Sequence, residues 1–173
     1  MLAAADAGAD VINLSLGGPS SSSRQKAYNR AVSYVNRHGC IVVCAAGNSA
    51  DDARDYAPAN AAGVIAVSAL DRDLRKAPFS NRVDGLEMAL AAPGVAILST
   101  LPGNQYGLYS GTSMAAPQVS GLIGMMKSYR PDLTTREVYE MLKRSGKPTE
   151  QGALTGNLIQ PAAALRRLIQ ETE

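Results

Sequence analysis

Two apolar runs separated by one periodic polar segment limit the fold of this chain more than any other feature. Val11-Ile12-Asn13-Leu14-Ser15-Leu16 is strand-like and ends at Gly17-Gly18-Pro19. Cys40-Ile41-Val42-Val43-Cys44 is unbroken and apolar, as suits a buried strand, and runs on into Ala45, Ala46, Gly47 and Asn48. Between them, residues 24–37 carry Ala27, Ala31, Tyr34 and Val35 on one helical face, and His38-Gly39 supplies a stop. Strand, helix and strand at this spacing form a βαβ unit, so the two strands run parallel with a right-handed crossover. The pattern continues with an apolar run at 64–68, a hairpin over 95–110, and helices over 134–144 and 161–170. Thr134 and Glu137 have the spacing of a capping box at the first of those helices. The reading is an α/β fold in three layers, a mostly parallel sheet with helices on both faces. Composition agrees: 46% of residues are apolar, yet there is one Phe and no Trp, and small side chains let helices pack close to a sheet.

A chain of 173 residues suits one domain with a sizeable core. The net charge of +2, without a basic cluster, gives no electrostatic reason for nucleic acid or an anionic membrane as partner. No apolar stretch is long enough to span a bilayer, and residues 1–6 lack the pattern of a signal peptide. Cys40 and Cys44 fall about 13 Å apart along one strand, beyond disulfide reach, and read as free buried thiols. No Gly-x-Gly-x-x-Gly or P-loop pattern supports a nucleotide site.

The segment Gly111-Thr112-Ser113-Met114-Ala115-Ala116-Pro117 follows the hairpin and opens an apolar run of helical length. A serine in a first helical turn sits beside unpaired N–H groups and the positive end of the dipole, where negative charge forming near a nucleophilic oxygen is stabilised. The same placement also serves a plain N-cap.

With Val119-Ser120-Gly121 behind it, this motif resembles the nucleophile segment of the subtilisin-like serine proteases, the subtilases. The resemblance extends in order through residues 11–19, Ala45-Ala46-Gly47-Asn48, Tyr56-Ala57-Pro58-Ala59, Ala92-Pro93-Gly94, residues 99–103 and residues 156–160. It implies Ser113 as nucleophile, with the Asn48 side chain and the Ser113 N–H as oxyanion donors. It implies that Ser15, Leu16, Gly17 and Gly18 bind the substrate backbone as an added strand, with Ala45, Ala46, Gly47, Tyr56 and Thr112 completing the substrate site.

Two departures matter. The family's weak cation site near residues 59–64 draws on side chains at about positions 87 and 89; Glu87 suits it, but Ala89 has no ligating atom. The resemblance therefore implies no required cofactor and leaves Ca²⁺ with an incomplete donor set. The family orders its triad Asp, His, Ser, and neither an Asp-Ser-Gly or Asp-Thr-Gly nor a His-Gly-Thr or His-Gly-Ser segment occurs here. His38, the sole histidine, falls in the crossover helix and reads as a surface cap. The expectation is that residues 1–173 are the C-terminal portion of a subtilase catalytic domain, a partial fold. Its partners are then a peptide or protein substrate and the N-terminal part of the same domain, with no nucleic acid or membrane. By resemblance the setting is secretory. The alternative is a catalytically inactive pseudoprotease or peptide-binding module that keeps the cleft.

Overall fold

The computed structural model describes residues 1–171. The chain runs through α1 (Leu2–Asp6), β1 (Val11–Leu14), β2 (Gly18–Pro19), α2 (Ser22–Arg37), β3 (Ile41–Ala45), a 3-10 turn (Ala53–Asp55), β4 (Tyr56–Ala57), β5 (Val64–Leu70) and β6 (Ala89–Pro93). It continues through β7 (Ile97–Leu101), β8 (Gln105–Tyr109), α3 (Thr112–Tyr129), α4 (Thr135–Ser145), α5 (Gly152–Thr155), β9 (Asn157–Leu158) and α6 (Pro161–Gln170).

The βαβ expectation is met: β1 and β3 pair in parallel, with Val11 opposite Ile41 and Leu14 opposite Cys44. Five parallel strands form the sheet in the order β1-β3-β5-β6-β9. Every residue of β3 and β5 is buried, because helices cover both faces. Alternate residues serve opposite layers. Ile41, Val43 and Ala45 face α3, α4 and α6 through Ala116, Val119, Ile123, Leu142 and Leu168. Val42 and Cys44 face α2 through Val32 and Val35, with Ala5 of α1 in the same cluster. Both cysteines are free and buried, and burial pushes the Cys44 thiol up to about 12, so it has no thiolate character at neutral pH.

Three boundaries differ from the sequence reading. The first strand stops at Leu14 rather than residue 16, because the chain then leaves the sheet and pairs Gly18 and Pro19 antiparallel to Ala57 and Tyr56. Helix α2 begins at Ser22 rather than residue 24, with the Ser21 hydroxyl capping the Arg24 N–H. Helix α3 runs past the apolar stretch to Tyr129. There Lys127 is buried and its ammonium donates to the carbonyls of Gly39 at 2.6 Å and Leu133 at 3.4 Å. The capping box of α4 is complete, and its bonds from Thr134 hold the Glu137 carboxyl below its usual range.

One ion-pair cluster pins the loop after β3. Asp52 is buried; its carboxylate accepts from the Arg54 backbone and from Nε at 2.9 Å, and from Arg82 Nη2 at 2.9 Å. The Arg54 bonds, with those from Arg82, hold its carboxyl well below the ordinary carboxylate range. Because the folded value lies below the unfolded one, the stabilisation is complete above about pH 4 and fades as pH falls toward the folded value. Asp52→Asn should cost about 1–2 kcal/mol at pH 7, modest because both guanidinium groups are half-exposed. Urea unfolding at pH 7 and pH 3 checks this: the gap between variant and parent should narrow at the lower pH.

Candidate active site

Ser113 stands in the first turn of α3, where the chain comes off the β7–β8 hairpin through Gly111. Its side chain is partly exposed, and Oγ donates to the Ser15 carbonyl at 3.3 Å. In return Ser15 Oγ donates to the Ser113 carbonyl at 2.9 Å, so the segment after β1 is tied to the helix turn from both sides. Asn13 and Ser120 extend the tie: Ser120 Oγ donates to Asn13 Oδ1 and Asn13 Nδ2 donates to Ser15 Oγ, each at 2.9 Å.

Asn48 follows β3 and reaches the same turn. Its Oδ1 accepts from the Thr112 N–H and from the Thr112 hydroxyl, both at 2.9 Å. A backbone N–H can only donate, so the amide oxygen must face Thr112 and the NH₂ must face away. That Nδ2 makes no hydrogen bond among the described residues. A Cβ placed on Gly111 would lie 3.4 Å from Asn48 Nδ2 and 3.7 Å from the Ser113 N–H nitrogen. Two donors therefore border one small space, and glycine at 111 keeps it open. The Ser113 N–H belongs to the first helical turn, whose donors have no intrahelical partner.

Asn48 and Ser113 both line a cleft of about 380 Å³. Its walls include Ser15, Leu16, Gly17 and Gly18 on one side and Ala45, Ala46, Gly47 and Asn48 on the other, closed by Tyr56, Ala57 and Ala59. Every residue that the sequence singled out for substrate thus borders the same cavity, Thr112 and Ser113 included. Thr112 is fully buried, however, and its hydroxyl is spent on Asn48 and on the Gly47 N–H, which it accepts at 3.1 Å. Leu16 is 55% exposed and free to lie along a ligand. The Ala57–Pro58 peptide is cis. Among the described residues no carboxylate lines the cleft; the hydroxyl of Tyr56, on its wall, is 3.5 Å from Asp51 Oδ2.

A second, apolar groove of about 500 Å³ lies on the other side of Ser113, between the hairpin (Ile97, Leu101, Tyr109) and α3 (Met114, Pro117). His38 is in neither. It ends α2, stacks on Tyr34 with ring centroids 4.2 Å apart, and shares a 2.9 Å hydrogen bond with the Tyr34 carbonyl through Nδ1. It precedes β3 whereas Asn48 follows it, so roughly 16 Å of extended strand separates the two levels. Near residues 59–64, Glu87 is taken by Arg136 at 3.2 Å and Arg54 lines the same pocket, a poor setting for a further cation. Among the described residues no cluster of three or more His, Cys, Asp or Glu side chains could hold a metal. Nor is any helix of the described residues long and apolar enough to cross a membrane.

The residue the sequence reading passed over is Asn81. It is fully buried beneath the Asn48 loop, and only a polar residue in a charged, loop-like stretch announced it.

Comparison with known proteins agrees with this geometry. The family model described as the subtilase family, peptidase S8, matches residues 1–159. Subtilisin DY of Bacillus licheniformis is 42% identical over 138 residues, covering 78% of this chain and 48% of its own length. The major intracellular serine protease of Bacillus subtilis is 42% identical over 158 residues, covering 86% of this chain and 48% of its own. An extracellular protease of Xanthomonas campestris is 42% identical over 157 residues, 86% of this chain and 26% of its own. Among solved structures, a protease from Pseudoalteromonas arctica superposes with a TM-score of 0.82 at 32% identity, over 92% of this chain and 51% of that one. A lanthipeptide protease gives 0.85 at 25% identity, over 96% and 64%. The chain thus spans less than half the length of these curated relatives.

Proposed function

The chain belongs to the subtilase family, and from that membership we propose that it is the nucleophile-bearing part of a serine endopeptidase domain. The observation that carries the reading is the Asn48 amide, pinned on Thr112 through its oxygen so that its NH₂ borders the same space as the Ser113 N–H. Donors fixed beforehand around one point suit an oxyanion, because they need no reorganisation as charge develops. In the reaction, Ser113 Oγ attacks the scissile carbonyl and passes its proton to an imidazole. That imidazole and the carboxylate that orients it come from an N-terminal part of the domain outside these 173 residues. Residues 15–18 and 45–47 grip the substrate strand on either side of the cleft.

A second reading has its own observation. Ser113 Oγ donates to the Ser15 carbonyl, and the chain's only imidazole caps a helix on the opposite face of the sheet. A module with this cleft and no base would bind peptides without cutting them. No cofactor is required on either reading, and Ca²⁺ has little to bind to at Glu87. A secreted location rests on likeness to the Xanthomonas extracellular protease, and the intracellular relative at equal identity is its rival. Detecting the protein in culture supernatant rather than in cells decides that point.

With no carboxylate of the described residues on the cleft wall, a lysine or arginine side chain would enter without a partner there, so medium apolar residues should be preferred ahead of the cut. A peptide library offered to the enzyme completed with its Asp and His segment checks both function and preference. Cleavage chiefly after arginine would overturn the account of the cleft; no cleavage, with the peptides still bound, would favour the binding module.

A further inference from the structure

The loop that carries Asn48 is shaped around a single buried amide. Asn81 Nδ2 donates to the Ala46 carbonyl at 3.0 Å, and its Oδ1 accepts from the Ser49 N–H at 2.9 Å and the Asp51 N–H at 3.1 Å. Its own backbone N–H donates to the Gly47 carbonyl at 2.9 Å. Two of these four bonds end on residues just before Asn48 and two on residues just after it; none ends on Asn48. The orientation of the amide follows from its partners, since two N–H donors demand the oxygen and a carbonyl demands the NH₂.

The fit is close. A Cβ on Gly47 would lie 2.3 Å from Asn81 Nδ2, and Gly47 has φ +108°, so glycine there answers to the presence of Asn81. The segment before Asn81 is itself held: Ser80 Oγ accepts from the Ala69 N–H at 3.0 Å, and Lys76 Nζ donates to the Ser80 carbonyl at 2.7 Å. Asn81 therefore reaches the loop from a backbone locked to β5, the middle strand of the sheet.

An oxyanion donor must be aimed to within about half an ångström, and residues behind it supply that precision. The Asn48 side chain is fixed on Thr112 at its oxygen alone. Directing its NH₂ also requires that the backbone bearing it be fixed, and among the described residues no other side chain bonds to the loop on both sides of Asn48. We propose, resting on the reading of Asn48 as an oxyanion donor, that Asn81 is the positioning residue for that donor and works on catalysis only through it.

The test is a double-mutant cycle between Asn81→Ala and Asn48→Ala, assayed on peptide hydrolysis by the enzyme completed with its Asp and His segment. Asn81→Ala alone should lower kcat about tenfold or more. In the Asn48→Ala background the same substitution should change kcat less than twofold, because the donor it positions is gone. Asn81→Asp keeps the acceptors for Ser49 and Asp51 and should retain part of the rate; it also serves if the alanine variant fails to fold. In the 173-residue chain, amide exchange at Ser49 and Asp51 should quicken in Asn81→Ala while α3 stays protected. Losses that simply multiply in the double variant would show a general structural role and overturn the proposal, as would an unchanged kcat in Asn81→Ala. An inert Asn48→Ala, by contrast, would refute the oxyanion reading itself, and that failure is visible in its own arm of the cycle.

Discussion

A fluorophosphonate probe will leave Ser113 unlabelled in the isolated 173-residue chain, and labelling will appear when the segment bearing the Asp and His motifs is supplied. A serine hydroxyl is a weak nucleophile at neutral pH and depends on an adjacent base. Among the described residues Ser113 Oγ hydrogen-bonds only to the Ser15 carbonyl, which cannot take its proton. His38 stands at the other end of β3 and across the sheet from α3, with its Nδ1 held at the Tyr34 carbonyl. If Asn48 and the Ser113 N–H act as the proposed oxyanion donors, a residual acceleration of about 10³–10⁴ over water is the most the isolated chain should show, the figure known for subtilisin stripped of its triad. Mass spectrometry of the probe-treated protein reads the result directly. Stoichiometric labelling of Ser113 in the isolated, monomeric chain would falsify the account of where its base comes from.

In the completed enzyme, Asn48→Ala should lower kcat by about 10²–10³ and leave KM nearly unchanged; the size is carried over from the loss of the corresponding donor in subtilisin. The asymmetry is the informative part. Nδ2 borders the space proposed for the alkoxide and makes no hydrogen bond among the described residues, so it should contribute little until charge develops there. Removing the side chain also frees the Thr112 N–H and leaves the buried Thr112 hydroxyl bonded to the Gly47 N–H alone. Steady-state kinetics on a peptide anilide separate the two parameters. A raised KM with kcat intact would make Asn48 a substrate-binding residue instead.

Both experiments rest on residues that the sequence marked. Asn48 and Ser113 were marked by resemblance to subtilase segments, and their places in the fold were legible because each sits at the end of a pattern with a strict period: the apolar run of β3, and the hairpin followed by a helix. The capping box at Thr134 and the start of α6 at Pro161 were legible for the same reason, since a helix terminus is written in residues three or four apart. The unbroken apolar run of β3 fitted a strand buried on both faces, and in the fold Ile41 and Val43 face one set of helices and Val42 and Cys44 the other.

The tertiary structure decided what has no period. Strand β9 is two residues long, Asn157–Leu158, and owes its place to the backbone of β6 rather than to any alternation of its own. The first strand ends at Leu14 because Ser15 is drawn to Ser113, 98 positions away. Lys127 is charged in sequence and buried in fact, since the carbonyls of Gly39 and Leu133 receive its ammonium. Asn81 is the clearest case. Its amide bonds cross 30 to 35 positions of sequence to reach Asp51, Ser49 and Ala46. Periodicity records which face of an element is apolar; a single polar side chain that satisfies distant backbone groups leaves no such trace, and only the folded chain shows where it points.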